Sequence, residues 1–93
     1  METTGIIKVI FDTQRVSDKF QKRDFVLTTE AGTPYPQSVS FQATKDKCDA
    51  LNNFKVGDEI KVNFNLKGKE WQDPNTLQTK FFNTLEAWKI EKL

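Results

Sequence analysis

The sequence predicts an all-β domain: a five-stranded barrel with one short α-helix between its third and fourth strands. Three observations carry this. From Ile60 to Leu66, Ile60, Val62, Phe64 and Leu66 alternate strictly with Lys61, Asn63, Asn65 and Lys67. A period of two buries one face of a strand and wets the other. Turn-forming residues cut most of the remaining chain into similar short segments. Only between Ala43 and Asn53 does the period change, with Cys48 and Leu51 three apart.

The elements follow in order. Gly5 to Phe11 is Gly-Ile-Ile-Lys-Val-Ile-Phe, rich in β-branched residues and apolar on both parities apart from Lys8. That composition predicts a first strand buried on two sides or bent to serve two faces, with Gly5 permitting the bend. Asp12 to Phe20 reads as a loop. Phe20 to Glu30 is the second strand, with Phe25 and Leu27 on one face and Val26 and Thr28 on the other. Ala31 to Pro36 holds a glycine and two prolines and predicts a turn. Val39 and Phe41 mark the inner face of the third strand. Ala43 to Asn53 predicts a helix of two to three turns, with Thr44 as N-cap and Asp46 in its first turn. Val56-Gly57-Asp58 turns into the fourth strand, Ile60 to Leu66, which Gly68 ends. Lys69-Glu70-Trp71 then falls in a loop that continues through Gln72 to Thr79. Lys80 to Ile90 is the fifth strand. Its parity switches near Ala87-Trp88, the mark of a β-bulge. The expected core is Phe25, Leu27, Val39, Phe41, Ile60, Val62, Phe64 and Leu85.

Length and composition set the scale. Ninety-three residues make one domain, residues 1–93. Only 37% of them are apolar, but eight Phe and two Trp can fill a small core. Fourteen basic residues against 13 acidic ones leave a net charge of +1, so any polyanion must be drawn by local clusters and not by net charge. The lone Cys48 forms no internal disulfide, which favours a reducing, cytoplasmic location. No apolar run is long enough to span a membrane, and Met1-Glu2-Thr3-Thr4 has no basic start or apolar signal core.

Three strands, a short helix and two more strands is the element order of the OB-fold, a partly open Greek-key barrel. An SH3-like barrel, the main rival, has no helix at this position. Five segments also resemble a small bacterial OB-fold family of unknown function that is similar to single-stranded-DNA-binding proteins. They are Thr4-Gly5-Ile6-Ile7, Lys22 to Leu27, Phe54 to Phe64, Gly68-Lys69-Glu70-Trp71 and Phe82 to Ile90. The resemblance implies the fold, and a role in binding single strands as an expectation.

Catalysis is not expected. The chain has no His, which removes the usual general base and any Cys/His metal cluster. Cys48 lies on the apolar side of the predicted helix and reads as a core thiol. Asp46 and Asp49 read as its solvated face. The four glycines are scattered and form no phosphate loop. No cofactor and no metal are expected.

Single-strand binding needs cations for phosphates and aromatic planes for bases. OB-folds bind on the face of strands two and three, flanked by the one-two and four-five loops. The first of those loops and the start of strand two hold Arg15, Lys19, Phe20, Lys22 and Arg23; the second region holds Lys67, Lys69, Trp71 and Lys80. Each residue has a plainer reading. Exposed Lys and Arg protect strand edges and keep small proteins soluble. Trp71 could instead fold back as a lid on the barrel, and Trp88 reads as packing. The expected partner is single-stranded DNA before RNA, and a homodimer would lengthen the track. Rival uses of the same face are protein interaction and, behind it, oligosaccharide binding.

Overall fold

Alternation in Ile60–Leu66 does build a strand, and that strand runs well past its apolar pattern. The computed structural model describes residues 1–93. Its strands are β1 (Glu2–Ile10), β2 (Gln14–Ser17), β3 (Phe20–Thr29), β4 (Gln37–Thr44), β5 (Glu59–Gln72) and β6 (Thr79–Lys92). One helical turn, α1 (Lys47–Ala50), passes into a 3-10 turn at Leu51–Asn53.

Five strands close into a ring. The sheet order is β1-β5-β6-β4-β3-β2, and β1 also pairs with β3. Around the ring this is β1-β3-β4-β6-β5-β1, the OB-fold barrel with its helix between the third and fourth ring strands. The join of β4 to β6 is parallel and rests on one pair, Gln42↔Glu86, so the barrel is partly open.

β1 serves two neighbours, as its two-sided apolar sequence predicts. Residues 2–6 pair with β5, and residues 6–10 pair with β3. Gly5 sits where the three strands crowd. A Cβ there would lie 2.8 Å from the Thr28 carbonyl oxygen, a clash with backbone that cannot move aside.

The core is one cluster: Ile7, Phe25, Leu27, Phe41, Ala43, Leu51, Ile60, Val62 and Ala87, with Val39, Phe64 and Leu85 packed against it. All eight residues expected in the core therefore belong to it or pack on it. Phe25 stacks on Phe41 at 5.5 Å, and Phe41 meets Phe64 edge-on at 5.3 Å. Such pairs add to the roughly 1.5–3 kcal/mol that burying each large side chain contributes. Cys48 is fully buried, as expected of a core thiol, and its Sγ lies 3.4 Å from the Ala43 carbonyl oxygen.

The structure corrects the sequence reading at three places along the backbone. The expected loop from Asp12 to Phe20 contains β2, a sixth strand. It forms a hairpin with β3 through a turn at Asp18-Lys19. Gln-Arg-Val-Ser is exposed throughout, so no apolar alternation announces it. The helix is shorter than Ala43 to Asn53. Ala43 and Thr44 stay in β4, where they pair with Arg23 and Lys22, so Thr44 caps nothing and Asp46 holds the N-cap position. Gly68 does not end the fourth ring strand, because its partner Asn83 keeps the ladder going to Gln72↔Thr79. Trp71 is therefore a strand residue.

Asp73 to Gln78 is an ordered turn. The Asp73 side chain accepts from the Asn75 amide at 2.8 Å, and the Leu77 amide donates to the Asp73 carbonyl at 2.8 Å. The bulge expected near Ala87-Trp88 is present. Asn63 pairs with Lys89 and Phe64 with Ala87, leaving Trp88 as the extra residue. That extra residue turns Trp88 outward, 46% exposed, contrary to the packing expected of it.

Candidate nucleic-acid interface

Strand register decides which side chains share a surface, because partners across a ladder point to the same side. β5 and β6 pair over their full lengths and form a two-stranded arm whose far half leaves the barrel. In that half Lys67 faces Thr84, Lys69 faces Phe82, and Trp71 faces Lys80. Alternation puts Lys67, Lys69 and Trp71 on one side of β5, with Lys80 and Phe82 beside them on β6. One face of the arm thus gathers three lysines and two aromatic rings. Trp71 is 43% exposed and Phe82 52%. Glu70, the only acid in this half of β5, points to the opposite face, where it pairs with Phe81.

The same side continues onto the barrel. Glu86 pairs with Gln42, and Gln42 pairs with Asp24, so Thr84 and Glu86 lead to Ser40, Gln42, Lys22 and Asp24 on the outer sheet surface. A hollow of about 230 Å³ lies there, lined by Asp24, Ser40, Phe41, Gln42, Asn83, Thr84 and Leu85. A second hollow, about 420 Å³, is lined by Phe11, Asp12, Gln14, Lys22 and Asp24. Asp24 belongs to both, so the two adjoin.

The nine residues singled out in the sequence divide into four groups. Lys67, Lys69, Trp71 and Lys80 come together on the arm. Lys22 lies on the outer sheet surface beside Gln14. Arg15, Lys19 and Phe20 border a shallow hollow of about 210 Å³ at the β2–β3 hairpin, with Phe20 half-buried and not a free surface aromatic. Arg23 is committed to the fold. It shares the inward parity of Phe25 and Leu27. Its Nε donates to the Phe11 carbonyl at 2.7 Å, and its Nη1 donates to Asn52 Oδ1 at 2.8 Å and to the Cys48 carbonyl at 3.3 Å. One guanidinium thus ties the β1–β2 turn, β3 and the helix together.

Ion pairing separates the cations further. Every salt bridge in the molecule involves Lys61 or Lys89: Lys61 with Glu2 at 3.3 Å and Glu91 at 3.8 Å, and Lys89 with Glu91 at 2.8 Å. The hydrogen bond and charge of Lys89 hold the Glu91 carboxyl below the ordinary carboxylate range. Arg15, Lys19, Lys22, Lys67, Lys69 and Lys80 make no salt bridge.

Phe82 and Phe11 escaped the sequence reading. Phe82 follows Phe81, and only the pairing with Lys69 distinguishes the two faces. Phe11 closes an apolar strand and reads as its last buried residue, yet it is 50% exposed. No group of three or more His, Cys, Asp or Glu converges to hold a metal ion. No helix is long and apolar enough to cross a membrane.

Comparison with solved structures agrees with the topology. The fold is similar to the mitochondrial single-stranded DNA binding protein Rim1 of S. cerevisiae, with a TM-score of 0.75 at 12% identity, over 100% of this chain and 92% of the other. It is also similar to a Plasmodium falciparum SSB in complex with ssDNA, with a TM-score of 0.67 at 12% identity, over 100% and 92% of the two chains. At such identities the likeness is one of fold. No curated protein matches the chain. A family model described as a domain of unknown function, DUF3127, matches residues 2–91, and the chain belongs to that family.

Proposed function

We propose that this protein is a non-catalytic module that binds single-stranded nucleic acid, DNA before RNA, through the outer face of the arm and the sheet surface that continues it. The observation that carries this reading is the register of β5 against β6. It sets Lys67, Lys69 and Lys80 beside Trp71 and Phe82 on one face, and none of those lysines makes a salt bridge. Cations spaced among open aromatic planes are what sequence-tolerant single-strand binding requires. In this reading the lysines neutralise phosphates while Trp71 and Phe82 stack bases. The fold neighbours named as single-stranded DNA binding proteins support the choice of ligand.

Arg15, Lys19, Phe20 and Lys22 extend the track at the β2–β3 hairpin; Arg23, held by the fold, does not. A homodimer would join two short tracks into a longer one. A cytoplasmic location suits the single reduced thiol.

The test is a titration with oligo-dT, followed by tryptophan fluorescence at several salt concentrations. Binding should weaken as salt rises, with a slope of roughly −0.7 per phosphate contacted. Replacing Lys67, Lys69 and Lys80 together by Ala should flatten that slope by about 2. Absence of any fluorescence change with single strands at low salt would refute the reading, and oligosaccharide binding would show no salt slope at all.

A further inference from the structure

We propose that the hollow between the β1–β2 turn and β3 is a nucleobase pocket that selects bases carrying an exocyclic amino group. The inference rests on the single-strand reading and adds a base preference to it.

The hollow measures about 420 Å³ and is lined by Phe11, Asp12, Gln14, Lys22 and Asp24. That volume lies in the range of pockets that hold small planar ligands. Its walls are set by pairing. Gln14 is the ladder partner of Lys22, and Asp24 is two residues further along the same side of β3. Phe11 is held at both of its backbone groups. Its amide donates to the Asp24 carbonyl at 3.0 Å, and its carbonyl accepts from Arg23 at 2.7 Å. The half-exposed ring therefore projects from an anchored backbone at the edge of the hollow.

The chemistry of the lining selects its occupant. Two carboxylates repel a phosphate, so the backbone of a bound strand would keep to the lysines of the arm. A base has no such conflict. Its face can lie on the Phe11 ring, and its edge meets Asp12, Asp24, Gln14 and Lys22. Carboxylates accept only, so they favour an edge that offers an amino group. Gln14 and Lys22 can donate to the acceptors beside that amino group, a ring nitrogen and then a carbonyl. Cytosine presents all three on its Watson–Crick edge. Thymine presents two carbonyls around one N–H and sets a carbonyl against a carboxylate. The adjoining hollow, which shares Asp24, leads from this pocket across Ser40 and Gln42 to Thr84 and the arm. One strand can thus fill the pocket with a base and reach the arm with its phosphates.

The experiment compares dye-labelled oligo-dC and oligo-dT of equal length by fluorescence anisotropy at low salt. The unaltered protein should bind oligo-dC about tenfold more tightly, the discrimination expected of one good base contact. Asp24→Asn should abolish the preference, so that oligo-dC and oligo-dT bind equally. Phe11→Ala should weaken both, and Phe11→Tyr should restore both. Equal binding of the two oligonucleotides by the unaltered protein, or tighter binding of oligo-dT, overturns the pocket and leaves the single-strand reading intact. A preference that survives Asp24→Asn also overturns it. Failure to bind either oligonucleotide overturns both readings. The comparison on the unaltered protein needs no variant to fold.

Discussion

The root and the tip of the β5–β6 arm are made of the same two strands and treat the same residue types in opposite ways. At the root Ile60, Val62 and Ala87 are buried, and Lys61 and Lys89 are paired with acids. At the tip Leu66, Trp71, Phe81 and Phe82 stand open, Phe81 at 76% exposure, and Lys67, Lys69 and Lys80 have no acidic partner. The barrel spends its side chains on packing. Backbone ladder bonds, from Leu66↔Leu85 to Gln72↔Thr79, hold the tip, so its side chains are available to a ligand. Stability and binding should therefore respond to different substitutions.

The largest effect belongs to the barrel. Phe25→Ala removes the ring stacked on Phe41 and should cost about 3–5 kcal/mol of stability by urea denaturation. In a domain this small that is a large share of the total. Next comes the tip. Trp71→Ala should leave the stability within about 0.5 kcal/mol of the parent. It should weaken oligo-dT binding by roughly 1–3 kcal/mol, and Phe82→Ala should act in the same way. A Trp71 variant that lost stability and kept binding would erase the division between root and tip.

Arg23 sharpens the comparison, since by sequence it belonged with the binding cations. Arg23→Ala should cost about 1.5 kcal/mol, the low end for bonds to a charged donor because the side chain is part-exposed. Binding by the folded fraction should hold. A binding loss without a stability loss would return Arg23 to the interface.

The smallest effect concerns Cys48. Burial pushes its thiol up, and the charge of Asp49 adds to the shift. The folded state therefore keeps its proton where the unfolded chain, with a thiol near 8.5, has begun to lose it. Stability should be flat below about pH 8 and decline as pH rises through and above that unfolded value. Iodoacetamide should label the folded protein far more slowly than the unfolded one, and Cys48→Ala should remove the alkaline decline.

Much of this was legible in the residues. Alternation at Ile60, Val62 and Phe64 identified the inner face of β5. The bend of β1 was visible in its two apolar parities and in Gly5. The parity switch at Ala87-Trp88 announced the bulge, although not that it would turn Trp88 outward. β2 was hidden because an exposed edge strand of four residues, with Val16 its only apolar one, carries no periodic signal. The end of β5 was misplaced because its distal half is held by pairing with β6, and Lys-Gly-Lys-Glu by itself has no strand preference. Arg23 looked like its neighbours Lys19 and Lys22; only the positions of Phe11, Cys48 and Asn52 show where its guanidinium is spent.

By itself the sequence determined the order of the five ring strands and the helix, and with it the barrel class and most of the large core residues, since these follow from the spacing of apolar residues along each segment. It also supplied the cations and rings at the arm. Only the tertiary structure decided that Lys69 stands beside Phe82 and Trp71 beside Lys80. A strand's own residues settle which of them share a face. Which residues of the partner strand join them depends on register, and here the ladder and the bulge at Trp88 set it.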